Sequence, residues 1–128
     1  MSDRLFDPPP VFTERQVQTG LQEALTHYGW KWVFVRRMQT PDGRWLTGTS
    51  DAGWLDLTAF KPPYIAAIEV KSLKGRVTPG QHEWLRIWYA CGAFAWVLDP
   101  RMDRAAVARW LADPSTAPLS HGWNPADP

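Results

Sequence analysis

The ten residues AAIEVKSLKG, positions 66–75, set an acid and a base into a run that is otherwise apolar. Glu69 and Lys71 flank a single valine. Side chains of a β-strand alternate between its two faces, so Glu69 and Lys71 point the same way as Ile65 and Ala67, while Tyr64, Ala66, Ile68 and Val70 point the other way. Apolar residues on both faces mark a strand covered on both sides, where unpaired charges are rarely kept. Taken alone, the two charges would make an ordinary ion pair on an exposed strand. The apolar flanks argue for a buried placement instead.

The neighbouring segment repeats the anomaly. WLDLTAF (54–60) reads as a strand, and the short Lys61-Pro62-Pro63 connection to YIAAIEV (64–70) predicts that the two pair antiparallel. Leu55, Leu57 and Ala59 fall on one face, and Trp54, Asp56, Thr58 and Phe60 on the other. Asp56 on its own could equally belong to a turn or an edge. If the strands are neighbours, the carboxylates of Asp56 and Glu69 can meet. Two such groups about 4 Å apart repel by roughly 4 kcal/mol at an effective dielectric near 20. Lys71 offsets part of this; a divalent cation offsets more, and oxygen ligands are what Mg²⁺ prefers.

Outward from this pair the chain is well punctuated. Thr78 predicts a helix start, with Pro79 in the first position and Gln81 at capping-box spacing. Trp84, Leu85, Trp88 and Cys91 form its apolar stripe, with Cys91 read as core packing, and Gly92 ends it. AFAWVL (93–98) is a further strand, and Asp103 to Leu111 a short helix. Upstream, Thr13 and Gln16 have capping-box spacing before Val17, Leu21, Ala24, Leu25 and Tyr28, which recur at helical period up to Gly29. WKWVFVRR (30–37) reads as a strand, Pro41-Asp42-Gly43 as a turn, and RWLTG as a short returning strand.

Glu14 shares helical spacing with Val17 and Leu21, and Gln81 with Trp84, Leu85 and Trp88, so both are expected to face inward from a first turn. The plainer readings are a dipole-favoured acid for Glu14 and a cap for Gln81. The order helix, strand meander, helix, strand, helix (α-β-β-β-α-β plus a short C-terminal helix) predicts an α/β fold: a small mixed sheet flanked by helices. The piece from 64 to 98 becomes a right-handed crossover if its strands are parallel. Residues 1–12 read as an extended lead-in, 13–112 as one folded domain, and 113–128 as an irregular Pro-rich tail.

Composition bounds the rest. A chain of 128 residues supports one domain and buries roughly two-thirds of the surface its unfolded form exposes. A hydrophobic share of 45% and nine Trp exclude a disordered chain. A net charge of +1 speaks neither for nor against nucleic acid. A single Cys excludes an internal disulfide framework and suits a reducing, cytoplasmic setting. No apolar run reaches membrane-span length, and MSDRLFDPPP lacks the order of a signal peptide. His27, His82 and His121 lack metal-ligand spacing. Trp45 or Trp123 could stack on bases, although the Trp residues as a group read as core, and Arg36-Arg37 could be a solvated strand end.

Asp56 followed 13 residues later by Glu69-Val70-Lys71 resembles the D…(D/E)-x-K signature of the PD-(D/E)XK nuclease superfamily. GWLDL (53–57) and IEVKSLKGRVTPGQHEWL (68–85), with a Glu in the first helix, narrow the resemblance to the VRR-NUC family, the virus-type replication-repair nucleases. Glu14 matches that helix acid; Gly75, Thr78, Gln81 and Trp84 match the stretch after the strand; Gly92 matches the turn before the last strand. The resemblance spans about residues 13–98. It departs at Leu55, where the family usually has Pro, and in the insert at 39–52.

The resemblance implies a restriction-endonuclease-like core over residues 13–112 and metal-dependent hydrolysis of phosphodiester bonds in DNA, with branched or junction DNA in replication, recombination or repair as a favoured target. Mg²⁺ or Mn²⁺ would be held by Asp56, Glu69 and the Val70 carbonyl, with Glu14 for a second metal. Lys71 would position the attacking water or stabilise developing charge. Gln81 would hold the water or orient Lys71. Lys61, Lys74 and Arg76, with Arg36 and Arg37, would meet phosphates. So small a domain grips little duplex, so a homodimer or a partner is expected to add to the grip. The length suits a stand-alone protein of a bacterial cell or a phage-infected host. The competing expectations are a non-cutting nucleic-acid-binding or assembly subunit of the same fold, and an unrelated α/β domain with a surface ion-pair cluster.

Overall fold

Two capping boxes start two of the three α-helices among the described residues. The Thr13 hydroxyl accepts from the Gln16 N–H at 3.1 Å while the Gln16 side chain accepts from the Thr13 N–H at 2.8 Å. Thr78 and Gln81 make the same exchange at 3.2 and 3.0 Å. Each box satisfies two backbone donors that a helix start leaves without partners. The third helix is capped by Asp103, whose carboxylate accepts from the Ala106 N–H at 3.1 Å. These contacts belong to a computed structural model that describes residues 12–35, 37–47 and 51–127, with side chains for all of these except 37–39 and 45–47.

The elements run α1 (Glu14–His27), β1 (Lys31–Phe34), β2 (Arg37–Gln39), β3 (Trp45–Thr47), β4 (Leu57–Lys61), β5 (Tyr64–Val70), α2 (Pro79–Ala90), β6 (Phe94–Leu98), α3 (Arg104–Ala112), a 3₁₀ turn (Pro114–Thr116) and β7 (Ser120–His121). Five strands form one mixed sheet in the order β1-β4-β5-β6-β7, and β2 and β3 form a separate hairpin. β4 pairs antiparallel with β1 and with β5, as the short connection predicts. β5 and β6 pair parallel, joined through α2. Helices therefore flank a mixed sheet, and the chain is an α/β protein.

Burial follows the alternation. Leu57, Ala59, Ala66, Ile68, Val70, Phe94, Trp96 and Leu98 face α1 and α3 and pack with Val17, Leu21, Leu25, Val107 and Leu111. Ala67, Ala95 and Val97 face α2 and pack with Leu55 and Leu85, against Val77, Trp84, Trp88 and Trp123. The central strands β5 and β6 are thus covered on both faces, which is why their sequences read as nearly continuous apolar runs.

Four expectations are corrected. The 54–60 strand begins only at Leu57; residues 51–56 form no strand, with a turn at 52–53 and a bend at Asp56, and Leu55 leaves the face of Leu57 and joins the α2 side. The 30–37 strand is divided, β1 ending at Phe34 and β2 opening the separate hairpin. Cys91 is exposed rather than core, because the helix ends at Ala90 and its cap turns outward.

The fourth correction is the tail. β7 adds a parallel edge strand, Ala95 opposite Ser120 and Trp96 opposite His121. The Ala95 N–H donates to the Leu119 carbonyl at 2.7 Å, and the Trp96 indole N–H to the Pro118 carbonyl at 2.9 Å.

Gly20 lies in the interior of α1 with open space where a Cβ would stand. Glycine there costs about 1 kcal/mol relative to alanine. Gly20→Ala is expected to raise the unfolding free energy by about that amount, seen as a higher urea midpoint with an unchanged slope.

Candidate functional site

β5 ends on Val70, and the chain before β4 arrives alongside it. Leu57 opposes Ile68 in register, so the position before Leu57 falls beside Glu69. Side chains there take over the ladder's hydrogen bonding. The Asp56 N–H donates to Glu69 Oε2 at 3.1 Å, and the Val70 N–H donates to Asp56 Oδ2 at 3.0 Å. Each carboxylate thus braces the backbone next to the other, and Asp56 and Glu69 converge at one end of the sheet.

Glu69 is 1% exposed and Lys71 14% exposed, and the Lys71 ammonium lies 3.4 Å from Glu69 Oε1. Gln81, also 1% exposed, donates its amide N–H to the same oxygen at 2.8 Å. A buried carboxylate is tolerable only with such partners, since desolvating an unpaired charge is costly. The strand alternation explains the arrangement: Glu69 and Lys71 share the face of Ala67, the face that α2 covers, and Gln81 stands in the first turn of α2.

Three glycines shape the surroundings. A Cβ on Gly53 would lie 2.6 Å from the Gly80 carbonyl carbon, so the segment leading into Asp56 passes backbone-to-backbone against the first turn of α2. A Cβ on Gly75 would stand 3.3 Å from the Lys71 Cδ, so the loop after β5 folds against the stem of that lysine. The spacing marks Gly53 and Gly75 only as motif matches, and Gly80 not at all. A close approach of two backbones leaves no mark on local periodicity.

Beyond the cluster the expected residues divide. Glu14 is exposed on α1, not inward-facing, because the first turn of the helix extends past the core edge set by Val17. Among the described residues no group of three or more His, Cys, Asp or Glu side chains gathers as metal ligands. Lys61 opposes Tyr64 at the far end of the hairpin, five strand positions from Glu69, roughly 17 Å away. It is not near the motif. Lys74 and Arg76 are exposed in the loop between β5 and α2, directly after Lys71. Arg36 lies outside the described residues, and Arg37 is in β2 with its side chain not described, as is Trp45 in β3.

The remaining polar and aromatic candidates are structural. Trp123 donates its indole N–H to the Ala95 carbonyl at 2.7 Å and makes T-shaped contacts with the rings of His82 and Tyr89, which anchors the tail. His27 lies against Tyr28, and His121 against Trp110. Asp99, one residue past β6, is held below the usual carboxylate range chiefly by hydrogen bonding to Arg101, whose guanidinium lies 2.7 Å away.

No family model, no curated protein and no solved structure matches the chain. The class that fold and site define is an α/β protein whose central strand ends in a carboxylate–amide–ammonium cluster, sealed by the start of a helix. Among the described residues no helix is long and apolar enough to cross a membrane.

Asp56 and Glu69 are the side chains of the cluster that could hold a hard divalent cation. Mg²⁺ is commonly bound through one or two carboxylates plus waters and substrate phosphates, and Asp56 and Glu69 offer such an all-oxygen pair.

Proposed function

We propose that this chain is a metal-dependent nuclease that hydrolyses phosphodiester bonds in DNA, built on a restriction-endonuclease-like core of the VRR-NUC type. The observation that carries this reading is the convergence of Asp56, Glu69 and Lys71 at the end of β5, with Gln81 closing on Glu69. Three charged residues kept beside a core have an evident use if a cation and a phosphate complete the cluster.

Asp56 and Glu69, with the Val70 carbonyl, would hold Mg²⁺ or Mn²⁺. When bound, such an ion polarises the phosphate and lowers the pKa of a water. Lys71 supplies a fixed positive charge on the same face as Glu69, suited to stabilising the negative charge that builds on the phosphate oxygens. Its stem is packed against the loop at Gly75, which limits where the ammonium can go. Lys74 and Arg76 stand next in the chain and can contact flanking phosphates, which makes binding salt-dependent. A second copy of the chain would widen the grip on a duplex.

The test is a cleavage panel of single-stranded, duplex, flap and four-way DNA, with Mg²⁺, Mn²⁺ or EDTA. Cleavage in both metals, abolished by EDTA, is the expected result. A folded protein that cuts none of these but still binds DNA would replace this reading with that of a binding subunit.

A further inference from the structure

We infer that Gln81 is a positioning residue for the carboxylate pair, and that the capping box of α2 is what sets its amide the right way round. This deepens the metal-site reading above and in part rests on it. Gln81 Oε1 accepts from the Thr78 N–H, so that end of the amide must be the oxygen. The other end is then the NH₂ group, and it points at Glu69 Oε1, an atom that can only accept when the carboxylate is ionised. One orientation satisfies both partners; the flipped amide satisfies neither.

The consequence runs through both acids. Glu69 held by Gln81 presents its second oxygen to the Asp56 N–H, and Asp56 in turn takes the Val70 N–H. The first turn of α2 is itself pinned by the contact of Gly80 with Gly53, three residues before Asp56. A helix-start signal therefore also fixes where two carboxylates stand. Gln81 acts on the carboxylate pair through Glu69.

α1 supplies an internal control. Gln16 occupies the same capping position but is exposed, with Thr13 as its cap partner. Glutamate caps a helix as glutamine does, so Gln16→Glu and Gln81→Glu both preserve a box. Only at position 81 does the new oxygen meet another carboxylate.

The experiment is native-state amide exchange by NMR on the full chain without metal, followed by Mn²⁺ titration calorimetry. In Gln81→Glu the Asp56 and Val70 amides are expected to exchange about tenfold faster than in wild type, with Gln16→Glu unchanged at both. Gln81→Met, which adds no charge, should speed the same two amides and weaken Mn²⁺ binding about tenfold, whereas Gln16→Met leaves both as in wild type. Gln81→Met also gives the reading if Gln81→Glu does not fold. Wild-type exchange at Asp56 and Val70 in the Gln81 variants would overturn the inference and leave Gln81 a cap alone. Faster exchange in a protein that binds no Mn²⁺ would support the positioning role while removing the metal reading.

Discussion

Lys71→Met is expected to lower Mg²⁺-dependent DNA cleavage by about 10²–10³-fold, the loss typical when one preorganised group that stabilises developing charge is removed. Methionine keeps most of the stem that packs beside Gly75 and deletes the ammonium 3.4 Å from Glu69. Glu69 retains the Gln81 amide and the Asp56 N–H, so the fold should survive, and circular dichroism should be unchanged. Asp56→Ala is expected to lose at least as much activity, because it deletes one of the two side-chain oxygen ligands proposed for the metal. Initial rates at saturating Mg²⁺ measure both. Near-wild-type cleavage by either variant would mean that the cluster is an ion-pair network without a catalytic part.

Gly122→Ala should give the largest loss of stability. Gly122 has φ +79°, in the left-handed region that side chains other than glycine's rarely adopt. A Cβ there would overlap the Val97 carbonyl oxygen of β6. Strain in that backbone region costs about 1–3 kcal/mol, and the overlap adds to it, for a total of about 3 kcal/mol or more. The chain can relieve the clash only by lifting the tail, which would pull β7 from β6 and Trp123 from Ala95. An unfolding free energy lowered by this amount, read as a lower urea midpoint, with a change in the near-UV circular dichroism of the Trp residues, is the expected result. A wild-type midpoint would show that the tail adds no stability.

The tail marks the limit of what local patterns reveal. A strand of two residues has no period, and Pro-rich sequence around it reads as loop. β7 exists because β6 presents an edge to it and because Trp96 and Trp123 reach backbone carbonyls across the gap. Cys91 illustrates a second limit: spacing extends a helical stripe by one turn, but the chain leaves the helix at Ala90. Glu14 illustrates a third. Helical spacing gives a direction around the axis, while burial also depends on how far along the axis the core reaches.

Where side chains repeat with a fixed period or occupy a cap, the physics is local, and the residues carry it in plain order. Hence both capping boxes, the antiparallel pairing of β4 with β5, and the shared face of Glu69 and Lys71 are legible in the amino-acid order alone. Contacts between segments distant in the chain obey no such rule. That Asp56 and Glu69 each bond to the backbone beside the other, that Gln81 closes on Glu69, and that Gly53 lies on Gly80 all follow from how the sheet and α2 pack. Only that packing decides distances of a few ångströms, and the proposed chemistry depends on those distances.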